Sequence, residues 1–161
     1  MKYFIFILLF CKIASADEAF INYGVGILES AKSSFSETKM IDVGYRSFIW
    51  DGLYWQNKAG VWIDNSGDPN RSSSGYASSG IGLEVDLKPI ELRTGSGLAF
   101  ITSPDHYLGG IFPQFDTDFY AGVRDRFGDG IGIKYDHISS AGIFSYNQGR
   151  DFVTFEISYK W

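Results

Sequence analysis

Cysteine occurs once in the 161 residues, at Cys11, so the chain can close no internal disulfide and must draw its stability from packing and backbone pairing. Histidine occurs twice, at His106 and His137. With a single distant cysteine, these two do not compose the ligand set of a structural zinc site. Proline is scarce and no stretch is of low complexity, which leaves no linker to divide the chain into two domains. No apolar run reaches the ~20 residues that a membrane-spanning helix needs. Basic residues are in the minority, 14 Lys and Arg against 19 Asp and Glu for a net charge of −5, which argues against a nucleic-acid backbone as partner. The pairs Gly95/Gly97 and Gly130/Gly132 lack the third glycine of a nucleotide-binding loop, and no Gly-x-Ser-x-Gly elbow occurs.

What is present begins with the N-terminal segment. Residues 1–16 carry an early lysine, an apolar run from Tyr3 to Cys11, and Ala14-Ser15-Ala16, the small-x-small form of a secretory cleavage site. Phe10 is too large for the position before a lipidated cysteine, so ordinary cleavage is expected, with export and a mature chain beginning at Asp17. The expected organisation is a signal peptide over 1–16 and one domain over 17–161. Cleavage removes the only cysteine and, with Lys2 and Lys12, makes the remainder more acidic.

Downstream the dominant period is two, the mark of strands with unlike faces. Val153, Phe155, Ile157, Tyr159 and Trp161 alternate with Thr154, Glu156, Ser158 and Lys160. The same alternation predicts strands near 20–29, 39–50, 53–63, 76–87, 90–102, 118–127, 130–139 and 151–161. Each approaches the ~9–11 residues of a tilted membrane strand. The connections decide between a soluble sandwich and a membrane barrel, because they alternate in length. Asp51-Gly52, Lys88-Pro89 and Gly128-Asp129 mark tight turns, whereas the links around 30–38, 64–75, 102–117 and 140–150 are long. Short turns on one side and long loops on the other are the pattern of outer-membrane barrels. The fold class expected is therefore all-β, an eight-stranded antiparallel transmembrane barrel in the outer membrane. Eight strands enclose an interior that side chains fill, so Asp42, Arg46, Lys58, Glu84, Asp86, Arg124, Lys134 and Glu156 should form a packed polar lumen without a pore.

One stretch departs from the lipid-facing pattern: "YDHISSAGIFSYNQGRD", residues 135–151. Continuing the apolar phase of Ile131, Ile133 and Tyr135 puts His137 and Ser139 on the outer wall. Asp151 is in phase with the outer face of the last strand. Polar groups on a lipid-facing surface are costly and tend to mark function; a belt touching lipid headgroups without chemistry is the plainer reading of the same parity.

"HISSAG" followed by "NQGRD" resembles the C-terminal signature of the outer-membrane lipid A 3-O-deacylase (PagL-like) family, which runs His-x-Ser-Asn-Ala-Gly, a short loop, then Asn-Pro-Gly-x-Glu. The resemblance covers the last hairpin and implies a serine esterase on the barrel's outer wall. Ser139 would be the nucleophile, His137 the base and Asp151 the acid that orients the imidazole. The Gly142 amide and the Asn147 side chain would be oxyanion donors. The implied substrate is the ester-linked 3-hydroxyacyl chain at position 3 of lipid A in the outer leaflet. No cofactor and no metal is implied, nucleic acid is not a partner, and a homodimer is compatible with the reading. Three positions differ from the family pattern: Asp151 stands for glutamate, Ser140 for asparagine and Gln148 for proline. Asp136 and Glu156 are poorer third members, since their parity turns them into the lumen. The rival function is a non-catalytic small barrel serving adhesion or envelope integrity.

Overall fold

The computed structural model describes residues 18–27, 35–65, 67, 71–104, 106, 108–143 and 149–161; the expected signal peptide lies outside them. Eight antiparallel strands run in chain order: β1 (Glu18–Ile27), β2 (Phe35–Trp50), β3 (Leu53–Ile63), β4 (Ser74–Asp86), β5 (Ile90–Ile101), β6 (Gln114–Arg124), β7 (Asp129–Ser139) and β8 (Arg150–Lys160). Each pairs with its sequence neighbour, and β1 pairs with β8 to close the barrel. Closure leaves no strand edge, so the backbone polar groups are satisfied within the sheet, as a hydrocarbon surrounding demands. No helix occurs among the described residues.

Parity sorts the side chains as the alternation requires. Ile21, Val43, Val61, Leu83, Ile133 and Ile157 are exposed on the outside, while Asp42, Arg46, Lys58, Lys134 and Glu156 are buried within. This inversion of the soluble-protein rule makes the outer wall apolar and the lumen charged.

The lumen is built in layers. Toward the short-turn end, Arg46 reaches Glu18 at 3.0 Å and Glu156 at 2.8 Å. Arg93 meets Glu156 at 2.6 Å, and Arg124 meets Glu91 at 2.7 Å. Phe20 and Tyr120 lie flat beneath the guanidinium groups of Arg46 and Arg93, 4.0 and 3.7 Å from carbon to ring centroid. Gln56 links this layer to the next, accepting from Arg46 Nε and donating to Asp118, each at 2.8 Å. There Lys58 sits among Asp136 (2.5 Å), Asp116 (2.9 Å) and Asp118 (3.4 Å). Charges removed from water are tolerated only when paired in this way.

The long-loop end differs from the expected polar filling. Met40, Trp62, Tyr76, Ile101, Ile138 and Phe152 turn inward there, and Leu108 folds in from the β5–β6 loop to complete an apolar cluster. A barrel mouth lacks a further turn of sheet above it, so a hydrophobic plug excludes water from the ionic layers below.

Three further differences have local causes. β6 begins at Gln114, four residues before the expected start at 118, because Gln114 is buried and donates to the carbonyls of Leu108 and Gly110 at 3.2 and 2.8 Å. The last short turn lies over Asp125–Gly128 and not at Gly128-Asp129: Asp125 Oδ1 accepts the amides of Phe127 (2.7 Å) and Asp129 (3.0 Å), which ends β6 early and leaves Asp129 paired with Tyr159 in β7. Asp86 is exposed at the rim, not packed in the lumen, since it is the last residue of β4 and its Oδ1 accepts the amide of Lys88.

Candidate active site

Strand pairing brings the polar residues of the last hairpin together. In the β7–β8 ladder His137 lies directly opposite Asp151, and both point outward, alternating with the inward Ile138 and Phe152 of the plug. Anchoring Ile138 and Phe152 in a packed cluster fixes the strands beneath the site, so the outward side chains stand on a rigid support.

His137 Nδ1 lies 2.7 Å from Asp151 Oδ1. A carboxylate can only accept, so Nδ1 carries the proton and donates, which leaves Nε2 as the nitrogen with a lone pair in the neutral ring. The side chains of His137 and Asp151 are 36% and 20% exposed, open enough to meet a molecule on the wall. The same Oδ1 accepts a second hydrogen bond, 2.5 Å long, from the hydroxyl of Tyr135.

Ser139, two residues beyond His137 in the same phase, is only 9% exposed. It is covered where the chain returns into β8. Gly149 packs so closely there that a Cβ on it would stand 2.7 Å from Cε1 of His137 and 3.1 Å from Cβ of Ser139. Its φ of +77° is in the left-handed region as well. Glycine is therefore required twice over, for conformation and for the approach of backbone to the imidazole. Ser139 and the His137 ring share this neighbour, and with Asp151 they occupy one corner of the outer wall at the long-loop end.

Of the expected oxyanion donors, Gly142 sits at the rim in a tight turn. Ala141 and Gly142 both have positive φ, +50° and +80°, and the Ile143 amide bonds the Ser140 carbonyl at 3.0 Å, a type I′ geometry. The space where a Gly142 Cβ would stand is open. Asn147 lies outside the described residues. Asp136 and Glu156 face the lumen, as their parity requires, and are held by Lys58 and Arg46.

Two neighbours of the site escaped the sequence reading. Tyr135 reads as one more lipid-facing aromatic; its signal is that it shares the phase of His137 two residues upstream. Thr117 is the β6 residue opposite His137, and its hydroxyl lies 3.3 Å from that of Ser96 on β5. The late start assigned to β6 concealed it. On the other flank, Arg71 from the β3–β4 loop lines a small cleft with Gly26, Gly149 and Asp151.

Among the described residues, two carboxylate groups elsewhere are compact enough to share an ion, Glu18/Glu84/Glu91 and Asp116/Asp118/Asp136, each with oxygens within 4.8 Å of one another. Both are met by cations of the chain itself, Arg124 in the first and Lys58 in the second. His106 is exposed in the β5–β6 loop and belongs to neither group.

Comparison with known proteins agrees with the barrel. The crystal structure of the outer membrane enzyme PagL is similar with a TM-score of 0.62 at 18% identity, covering 89% of this chain and 99% of that one. Neisserial surface protein A (NspA) is similar with a TM-score of 0.63 at 10% identity, over 89% of this chain and 96% of its own. The Yersinia pestis outer membrane protein Ail gives 0.54 at 11% identity, over 90% and 99%. At such identities these likenesses establish the fold alone. No curated protein matches the chain in sequence. The model of the family described as lipid A 3-O-deacylase (PagL) matches residues 30–160, which includes every strand from β2 to β8 and the whole polar corner. The chain belongs to the lipid A 3-O-deacylase (PagL) family of outer-membrane β-barrel hydrolases.

Proposed function

We propose that the protein is a serine esterase that removes the 3-hydroxyacyl chain ester-linked at position 3 of lipid A, and that Ser139, His137 and Asp151 carry the reaction. The observation that supports this most is the 2.7 Å contact of His137 Nδ1 with Asp151, made on the apolar outer wall beside Ser139. A polar corner on a surface built for hydrocarbon has a use if the substrate itself resides in the membrane.

The steps follow from the chemistry of the groups. Ser139 Oγ attacks the ester carbonyl carbon while His137 Nε2 accepts the hydroxyl proton, forming a tetrahedral oxyanion. The oxyanion is met by the Gly142 amide and the Asn147 amide group. Collapse breaks the bond to the sugar oxygen, which takes the proton from His137 and leaves as the alcohol. A water then attacks the acyl-serine, His137 again taking and returning the proton, and the 3-hydroxy fatty acid departs with Ser139 regenerated. Asp151 remains ionised throughout and stabilises the imidazolium of each step. The long-loop end faces the outer leaflet, which puts the corner at the level of lipid A. Residues 1–16 act as the cleaved export segment. The cation of Arg71 at the edge of the site suits an anionic lipid.

The test is release of 3-hydroxy fatty acid from purified lipopolysaccharide by the folded barrel in detergent. Release by the unaltered chain and none by Ser139→Ala is the expected result. Release undiminished in Ser139→Ala removes the esterase assignment, and a folded, unaltered barrel that releases nothing favours the adhesion or envelope role instead.

A further inference from the structure

Asp151 is held differently from the acids of the two ionic layers in the lumen. Glu18, Glu91, Glu156, Asp116, Asp118 and Asp136 each face an arginine or lysine. Among the described residues the Asp151 carboxylate has two side-chain partners, both on β7 and both ending on Oδ1: His137 Nδ1 at 2.7 Å and the Tyr135 hydroxyl at 2.5 Å. We propose that Tyr135 is a positioning residue of the esterase, a neutral anchor that holds the short Asp151 side chain against His137. The inference rests on the esterase reading above.

The register explains why tyrosine can do this. His137 stands directly across from Asp151, whereas Tyr135 stands across from Val153, the next outward residue along β8. Tyr135 and Asp151 are thus diagonal on one face, a separation that an aromatic side chain can span. The phenol reaches over and donates to the oxygen that faces the imidazole. Aspartate is one methylene shorter than glutamate, so a carboxylate extending from β8 at this position has less freedom to seek Nδ1 by itself. A second donor from the histidine's own strand restores the constraint.

The chemical type of the anchor matters. Lysine or arginine at 135 would also bind the carboxylate, but a standing positive charge would oppose the imidazolium that His137 becomes during turnover. A phenol orients the acid without adding charge. It also presents an aromatic ring to the apolar wall, which lipid accepts.

The test compares Tyr135→Phe in two backgrounds, the natural Asp151 and Asp151→Glu, using the full barrel in detergent with purified lipopolysaccharide. Tyr135→Phe keeps the ring and removes only the donor, and heat-modifiable gel migration checks assembly in each case. With Asp151, kcat should fall about 10- to 100-fold, as expected for a displaced orienting group, with KM nearly unchanged. Labelling of Ser139 by a serine-directed organophosphate should slow in parallel. With Asp151→Glu, whose longer side chain needs no such anchor, the same substitution should lower kcat less than about threefold, a non-additivity expected of groups acting through one another. Equal losses in the two backgrounds, a change confined to KM, or full activity of Tyr135→Phe would overturn the proposal while leaving the esterase standing. An unaltered chain without any turnover would overturn both.

Discussion

On the lumen face of the β7–β8 hairpin, Lys134 and Asp136 stand 3.2 Å apart, Lys58 lies 2.5 Å from the same aspartate, and Glu156 is gripped by Arg46 and Arg93. On the outer face of the same two strands, one residue out of phase, Asp151 is met by an imidazole and a phenol. On this hairpin's inner face Lys134, Asp136 and Glu156 are each answered by an opposite charge that is always there. Outside, a carboxylate is oriented by an imidazole and a phenol, neither of which carries a fixed charge. The first arrangement recovers the cost of removing ions from water and yields a rigid filling. The second leaves the carboxylate's field aimed at a ring that becomes charged only when it takes a proton, which is the condition for stabilising a transition state more than a ground state. Alternation with a period of two lets a single hairpin carry both.

Substitutions can break this comparison from either side. Ser139→Ala and His137→Ala should have the largest effect, each lowering deacylation by at least about 10⁴-fold with no change in heat-modifiable migration, because neither side chain packs in the lumen. Next is Lys58→Met, which strands Asp116, Asp118 and Asp136 without their shared cation. It should destabilise the barrel by about 3–5 kcal/mol, read as a lowered unfolding temperature of the folded gel band, while activity per folded barrel is retained. Gly149→Ala lies between the two faces. The added methyl meets the His137 ring and the backbone loses its favoured residue, so turnover should drop by about 100-fold with a small change in unfolding temperature. Asp86→Asn, at the exposed rim, should move stability by less than about 0.5 kcal/mol in the same unfolding assay and leave turnover alone; a large effect there would mean the rim belongs to the ionic filling.

Much of this arrangement is written in local pattern. The alternation of Val153, Phe155, Ile157 and Tyr159 with Thr154, Glu156 and Ser158 specifies the faces of β8, and Asp51-Gly52 specifies a turn by residue chemistry alone. The same parity put His137, Ser139 and Asp151 on one wall, and the His137–Asp151 contact depends only on register across one hairpin. What could not be read depends on distant chain. The plug of Met40, Trp62, Tyr76, Ile101, Leu108, Ile138 and Phe152 draws on seven segments, and in each the inward apolar residue looks like a lapse in the pattern. Asp125 ends β6 through its side chain, where a Gly-Asp pair three residues on is the louder signal. Tyr135 is an ordinary belt aromatic until the diagonal across β7 and β8 shows the acid it reaches.

The most direct test of the outer-wall account is the mass of lipid A extracted from a Gram-negative host expressing the unaltered chain beside one expressing Ser139→Ala at equal levels of folded barrel. Lipid A should be lighter by one 3-hydroxyacyl group with the unaltered chain, and of the host's own mass with Ser139→Ala. Identical lipid A in the two hosts, whether both shortened or both intact, would contradict it.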